Sequence, residues 1–554
     1  SNFDPISKVW KGSNLPTILN PEANLGHAIL SALQCAPNKV TQISDNSGVE
    51  LTCREMRLRS IRVAQNLKKF GYKKDDIICL ATRNNENTAP IVFGCFLIGA
   101  PISTLAPTYN EADMAHMINL TKPKLIFCEN DNLERIQSAV KQAEIKSKIF
   151  VFGNRKGFVE SAEIFLGETK METQFIPEYL GESKDLLAVI VCSSGTTGLP
   201  KGVCLSHSQL ISHNSRCVPV SMPEVWLSYS TLYWVSGLQC LLNGTLNGVR
   251  RIITNEDFSA EKVLQMIGKY SVTHLFTPPY QLSQIVQNSY LEEADLKSLR
   301  MYICGGSPVP DFYRDKMNKY LPNGRIFTAY GTSEVMPGIT FDFIYNKKGS
   351  VGNLMPNASI KIVDEDGNNL GKGKTGEIYA KHLYMFLGYY KNDEMTKDAL
   401  DSEGFFKTGD IGHFDSDGCL FIVDRKKEIL KYDNYQISPS ELECLIMELP
   451  GVRLAAVVGV PDIVHTDLPA AAVVKAPESN ITAEEIVDHV NSNVSDYKRL
   501  RGPVLFFDEL PLTESGKLKR NQIKSVGNPD FFTYELLQKS LIHWKIYFIL
   551  HIIL

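Results

Sequence analysis

A chain of 554 residues with a net charge of -4, 44% hydrophobic and 22% charged residues has the composition of a globular protein of several domain-sized units, neither disordered nor fibrous. The near balance of charge lacks the basic footprint of a nucleic-acid binder, so a small anionic ligand would need locally placed cations. Twelve cysteines stand singly, without a CxxC pair or a Cys/His cluster at zinc spacing, and read as reduced thiols, mostly in the core.

The chain opens Ser1-Asn2-Phe3-Asp4-Pro5, without a basic segment followed by an apolar one. No secretory signal is expected there, and the missing initiator methionine reads as an incomplete or processed start. From Arg54 to Phe70, Met56, Leu58, Ile61, Val63, Ala64 and Leu67 recur at helical spacing and stop at Gly71, which predicts an amphipathic helix. Ile77 to Thr82 reads as a strand, Ala89 to Gly99 as a buried helix, and Lys124 to Cys128 as another strand. Arg251 to Ile253, His274 to Phe276 and Met301 to Cys304 extend the alternation, which predicts a mainly parallel, helix-covered sheet. After about Gly349 the character changes. Ser359 to Asp364, Gly376 to Ala380 and Gly412 to Val423 read as short strands punctuated by Asp366-Gly367 and Asp417-Gly418 turns, an antiparallel β subdomain. The charged run Asp424 to Glu428 separates it from a β-rich, helix-containing module that ends near Lys524.

Chemistry concentrates first in Ser193-Ser194-Gly195-Thr196-Thr197-Gly198-Leu199-Pro200-Lys201-Gly202-Val203, which follows the aliphatic run Leu186 to Val191. Glycines let backbone N–H groups approach an anion, hydroxyls add donors, and Lys201 adds a point charge, so the segment reads as a phosphate-gripping loop on a buried strand. No register of it supplies the Walker spacing of Gly, four residues, Gly, Lys and Ser or Thr. It is a different kind of phosphate loop.

This loop resembles the signature of AMP-forming adenylating enzymes, the superfamily of acyl-CoA synthetases, coumarate-CoA ligases, insect luciferases and peptide-synthetase adenylation domains. Further segments resemble the family's motifs in the family's order. Cys304-Gly305-Gly306-Ser307-Pro308 is similar to its turn beside adenine and the acyl pocket. Ala329-Tyr330-Gly331-Thr332-Ser333-Glu334 is similar to the motif whose aromatic lies against adenine, whose Ser/Thr meets the α-phosphate, and whose Glu holds Mg²⁺. One carboxylate with phosphate oxygens suits magnesium. Thr408-Gly409-Asp410 resembles the motif whose aspartate accepts the ribose hydroxyls, and Arg425 matches a second ribose contact. Leu512 to Leu518 resembles the segment carrying the adenylation lysine, here Lys517.

The resemblance implies an α/β fold with a large N-terminal domain of helix-covered, mainly parallel sheets, residues 1–424, including the β subdomain over about 350–424. A hinge at 425–427, with Lys427 as its pivot, would join it to a small mobile α+β C-terminal domain over 428–525. It further implies an ATP-dependent acid-thiol ligase acting on a fatty or aromatic acid, with ATP, Mg²⁺ at Glu334 and coenzyme A as co-substrate, and catalysis resting on Lys517, Glu334 and Ser333. ATP would be held by Ser193 to Gly198, Lys201, Gly305, Gly306, Ser307, Tyr330, Gly331, Asp410 and Arg425. No nucleic-acid partner is expected.

Two departures qualify this reading. Trp234 stands where luciferases and many CoA ligases carry histidine; an indole is neither acid nor base, but it can wall an apolar acyl pocket. Within Lys431 to Gln436, Asn434 stands where the family has glycine beside the pantetheine path, so Lys431 and Asn434 join Trp234 as candidate CoA and acyl-pocket residues. The alternatives are a luciferase-like monooxygenase acting on the adenylate, an adenylation module feeding a carrier domain, of which none follows, and a non-catalytic scaffold of the same fold. Residues 526–554 form an atypical apolar tail. Including Lys539 and Ser540 it reaches the ~20 residues of a membrane span, and it otherwise reads as an interfacial or core-docking segment or as a non-native gene end. The preferred reading is a non-native end. The family resemblance points to peroxisome or cytosol, although no Ser-Lys-Leu signal closes the chain.

Overall fold

The computed structural model describes residues 1–16, 20, 22–153, 160–193, 200–214, 224–433, 435–462, 464–513 and 516–526. Ser194, Gly195, Thr196, Thr197 and Gly198 of the phosphate loop, Asn434, and the tail beyond Val526 lie outside the described residues.

Two mixed sheets make the α/β body. In the first, Ile78–Ala81, Ile102–Thr104, Leu125–Cys128, Lys148–Val151 and Leu187–Ser193 run parallel. In the second, Val40–Ser44, Arg250–Ile253, Val225–Ser228, His274–Thr277, Met301–Gly305 and Arg325–Thr332 do so. Toward one side each sheet turns antiparallel, at Lys201–Ser206 beside Leu187–Ser193 and at Met336–Phe341 beside Arg325–Thr332. Parallel strands buried on both faces account for the aliphatic runs that marked them in the sequence.

The helix predicted from Arg54 spans Cys53–Lys69. Its start is a capping box: Thr52 Oγ1 accepts from the Glu55 backbone N–H and Glu55 accepts from the Thr52 backbone N–H. Helix Thr88–Ile98 is buried at every residue, because it lies between its neighbours and has no solvent face.

The β subdomain has its expected turn at Asp417-Gly418 and one element that was not expected. The stretch 412–423 belongs to a hairpin of Phe406–Phe414, which begins earlier than read, and Leu420–Arg425, reversed where Asp415 accepts backbone N–H bonds from Asp417 and Cys419. The subdomain is also completed by the start of the chain: Asn2–Asp4 and Val9–Lys11 add to the edge of Ala358–Val363, and Trp10 stacks on Phe414 with ring centroids 4.5 Å apart. Strands of three residues are too short for their alternation to be read.

The C-terminal unit is α+β. The long hairpin of Val452–Asp462 and Thr466–Lys475 carries helices Pro439–Met447 and Ala483–Asn493 around one apolar core. Asp424, at the end of the subdomain's last strand, accepts from Ser438 Oγ at 2.7 Å and from the Ser440 backbone N–H at 3.0 Å, while Met447 packs against the core of the second large sheet. One carboxylate therefore ties the two units at the start of the helix. The described cysteines form no disulfide.

Candidate active site

A cavity of about 920 Å³ collects residues from segments far apart in the chain. Strand Leu187–Ser193 brings Ser193 to the cavity, and antiparallel pairing sets Lys201 directly opposite Ser193, so the segment read as a phosphate loop connects two strands. A Walker loop leads into a helix instead, which explains why its spacing is absent here. Lys201 Nζ sits 5.3 Å from the centre of the Tyr389 ring.

Gly305 and Gly306 line the cavity at the end of strand Met301–Gly305, and Gly331 and Ser333 line it at the end of the neighbouring strand. Glu334 follows in a tight turn, 8% exposed. Its Oε1 accepts from the Tyr389 hydroxyl at 2.9 Å, and burial raises its carboxyl above the ordinary value, opposed by that bond and by the charges of Arg425 and Lys201. Tyr389 carried no sequence signal, since it belongs to a two-residue strand, Gly388–Tyr389, that pairs with Val203. Gln209, also missed, sends its amide toward the Glu334 and Val335 carbonyls.

Asp410 and Arg425 are partners in the antiparallel register of the subdomain hairpin. Gly409, at φ +73°, lies where the same strand shifts register against Gly376–His382, a conformation that costs a residue with a Cβ. Arg425 Nε meets Asp410 Oδ1 at 2.7 Å, and the Tyr330 hydroxyl donates to Asp410 Oδ2 at 2.6 Å. Both carboxylate oxygens are engaged inside the protein, and the Tyr330 hydroxyl is bonded to one of them. Arg425 and Lys427 line the cavity, whereas Tyr330, Asp410, Ser307 and Lys431 do not. Lys431 sits exposed on strand Leu430–Tyr432 of the C-terminal unit.

Lys517 completes the site from the C-terminal unit. Its turn is held by Thr513 N–H to the Lys517 carbonyl at 2.7 Å and by Gly516 N–H to the Thr513 carbonyl at 2.8 Å. Desolvation and the Arg425 guanidinium lower its ammonium below the ordinary lysine value, against the pull of Asp410, Glu428 and Glu334. Behind it, Arg520 is bidentate on Glu443 and bonded to Glu428. Gly516, at φ +72°, lies flat against Tyr280 of the large domain, where a Cβ would stand 2.2 Å from the ring. Gly516→Ala is therefore expected to hold Lys517 off the site and slow adenylate formation on the order of 10²-fold, as a misplacement of about 1 Å can. Pyrophosphate exchange beside a thermal melt checks this, with the melting midpoint little changed.

Trp234 caps helix Val235–Leu246 and stands in the cavity wall edge-on to Tyr233. Among the described residues no helix is long and apolar enough to cross a membrane, and no group of three or more His, Cys, Asp or Glu side chains forms a metal cluster.

The profile of the AMP-binding enzyme family matches residues 31–390, and that of its C-terminal domain matches residues 441–517. The chain belongs to the AMP-binding enzyme family. Among curated relatives of this family member, a probable 4-coumarate-CoA ligase of Dictyostelium discoideum is 29% identical over 94% of this chain and 98% of the relative. A 4-coumarate-CoA ligase of Narcissus pseudonarcissus is 31% identical over 86% of this chain and 88% of the relative. Among solved structures, an anthranilate CoA ligase in complex with anthranoyl-AMP superposes with TM-score 0.83 at 21% identity, covering 92% of this chain and 98% of that one. The luciferase-like enzyme of the nonluminescent Zophobas morio mealworm superposes with TM-score 0.71 at 29% identity, covering 76% of this chain and all of that one, 100%. The AMP-binding fold accounts for both large sheets and for the separate C-terminal unit.

Proposed function

We propose that this member of the AMP-binding family is an ATP-dependent acid-thiol ligase that activates a fatty or aromatic carboxylic acid as its adenylate and passes the acyl group to coenzyme A. The observation that carries the reading is the convergence of Lys517, Arg425, Glu334, Ser333 and Lys201 on one cavity, with the two sides of the site supplied by different domains. A carboxylate is a poor acyl donor because its leaving group is oxide. Attack of a carboxylate oxygen on the α-phosphorus of ATP forms a P–O bond and breaks the bond to the β-phosphate, releasing pyrophosphate and leaving an anhydride with AMP as leaving group. Such transfer depends on positioning and charge stabilisation. Lys517 supplies a cation between the carboxylate and the α-phosphate, Ser333 a hydroxyl donor, and Lys201 a cation for the outgoing phosphates.

Glu334 fits a magnesium ion: one oxygen is bonded to Tyr389, the carboxylate faces the cavity, and magnesium takes few carboxylates beside phosphate oxygens. When bound, the ion would neutralise phosphate charge. In the second step the CoA thiolate forms a thioester with the acyl carbon, AMP leaves, and the thiol proton passes to solvent. Lys431 and Asn434 would meet CoA only after the C-terminal unit turns about Lys427. Trp234 favours ligation over light emission, because an indole offers an apolar wall and no proton transfer.

A carboxylic-acid panel from acetate to long fatty acids and cinnamates, read by pyrophosphate release with and without CoA, tests the reading; release with none of them overturns it. The adenylation rate is also expected to fall at alkaline pH as Lys517 loses its proton. Because its ammonium is lowered, that limb lies below the ordinary lysine value of 10.5. Lys517→Arg should move the limb upward in a pH profile of pyrophosphate exchange.

A further inference from the structure

The cavity runs well past the corner where an adenylate would form. Strand register places Trp226, His274 and Met301 in one row, and all three line the cavity together with Glu224. Gly305, four residues along the strand from Met301, lines it too, so this row stands roughly 13 Å from the adenylate corner at the rise of a parallel strand. Glu224 Oε2 accepts from Trp226 Nε1 at 3.2 Å and lies 3.9 Å from His274 Nε2. Its other carboxylate oxygen has no hydrogen-bond partner among the described residues. Burial and the charge of Arg300 depress His274 to about 4, so the imidazole is neutral near pH 7 and does not cancel the carboxylate.

The facing wall is polar as well. Helix Val235–Leu246 turns Leu238, Leu241, Leu242 and Leu246 into the core and presents Ser236, Gln239 and Asn243 to the cavity at helical spacing. A plain hydrocarbon tail filling this space would strip water from Glu224 and Gln239 without replacing its hydrogen bonds, and a site built to bond a polar group rejects the analogue that lacks it.

We propose that Glu224, held by Trp226 beside His274, is a distal acyl subsite that accepts a hydrogen bond from the far end of an elongated acid, an ω-hydroxyl or ω-ammonium group. The proposal rests on the acid-activating reading above, and Glu224 acts in it as a specificity residue remote from the reacting atoms.

The test is pyrophosphate release by the full-length protein with acids of matched chain length ending in methyl, hydroxyl, ammonium or carboxylate, over several lengths. The wild type should favour the hydroxyl or ammonium acid over the methyl acid by about tenfold or more in kcat/KM, and disfavour the dicarboxylic acid, which sets a second carboxylate against Glu224. Glu224→Leu should erase the preference and raise turnover of the methyl acid. Glu224→Gln, close in shape, should retain preference for the hydroxyl and lose that for the ammonium group, which guards against a leucine variant that fails to fold. A wild type that prefers the methyl acid, or a preference unmoved in both variants, overturns the subsite while leaving the ligase reading intact. No release with any acid overturns both.

Discussion

Lys517→Ala is expected to abolish most adenylate formation while sparing the second step. Among the described residues, the lysine is the one cation that the C-terminal unit brings into a cavity otherwise lined by the large domain and the hinge, and burial penalises its charge. Removing a preorganised charge from such a site costs on the order of 10²–10³ in rate. In pyrophosphate exchange the loss should appear in kcat rather than KM, since the interaction belongs to the transition state. Supplied with preformed acyl-adenylate and CoA, the variant should still form thioester at close to the wild-type rate. Equal loss in both assays would remove Lys517 from its assigned place. Loss only of the second would reverse the order in which the C-terminal unit serves the two steps.

Glu334→Gln should be nearly as damaging to the first step, by on the order of 10²-fold, with a higher magnesium concentration needed for half-maximal pyrophosphate release. Its effect on stability should have the opposite sign. Burial raises the Glu334 carboxyl above 4.5, so over a window above 4.5 the folded apo protein binds more proton at this site than the unfolded chain does. Stability from this group is fully present below 4.5 and is lost as pH rises through the folded value. The glutamine carries no charge to desolvate and can still accept from the Tyr389 hydroxyl. The apo variant should therefore match or exceed the wild type in melting temperature near pH 7, and the two should converge as the pH is lowered. A variant that loses both activity and stability would make Glu334 a structural residue.

The elements most legible in the sequence were those whose physics is local. Helix Cys53–Lys69 announced itself by apolar spacing, with Thr52 and Glu55 placed to cap it, and strand Leu187–Ser193 by an unbroken aliphatic run. The site residues were legible where chemistry is packed into a few consecutive positions, as in the run from Tyr330 to Glu334. Tyr389, Gln209, Tyr280 and Glu224 were not. Each is an ordinary residue in its own segment and gains meaning only from what another segment sets beside it. The hairpin around the Asp417-Gly418 turn was legible at its turn and not at its start: its first arm reaches back to Phe406, and only the pairing of Asp410 with Arg425 shows that the residues before Gly412 belong to it.

By itself, then, the sequence determined the class of fold, the family resemblance and many of the residues that line the cavity, because periodicity, glycine placement and clustered hydroxyls and charges act over a few residues. Tertiary structure alone decided that the first eleven residues finish a β subdomain, that Asp410 gives both oxygens to Tyr330 and Arg425, that Gly516 lies against Tyr280 beside Lys517, and that the Glu224 carboxylate lines the same cavity as Lys517. These are contacts between residues from tens to hundreds of positions apart, and no local pattern encodes a distance that only the packed chain creates.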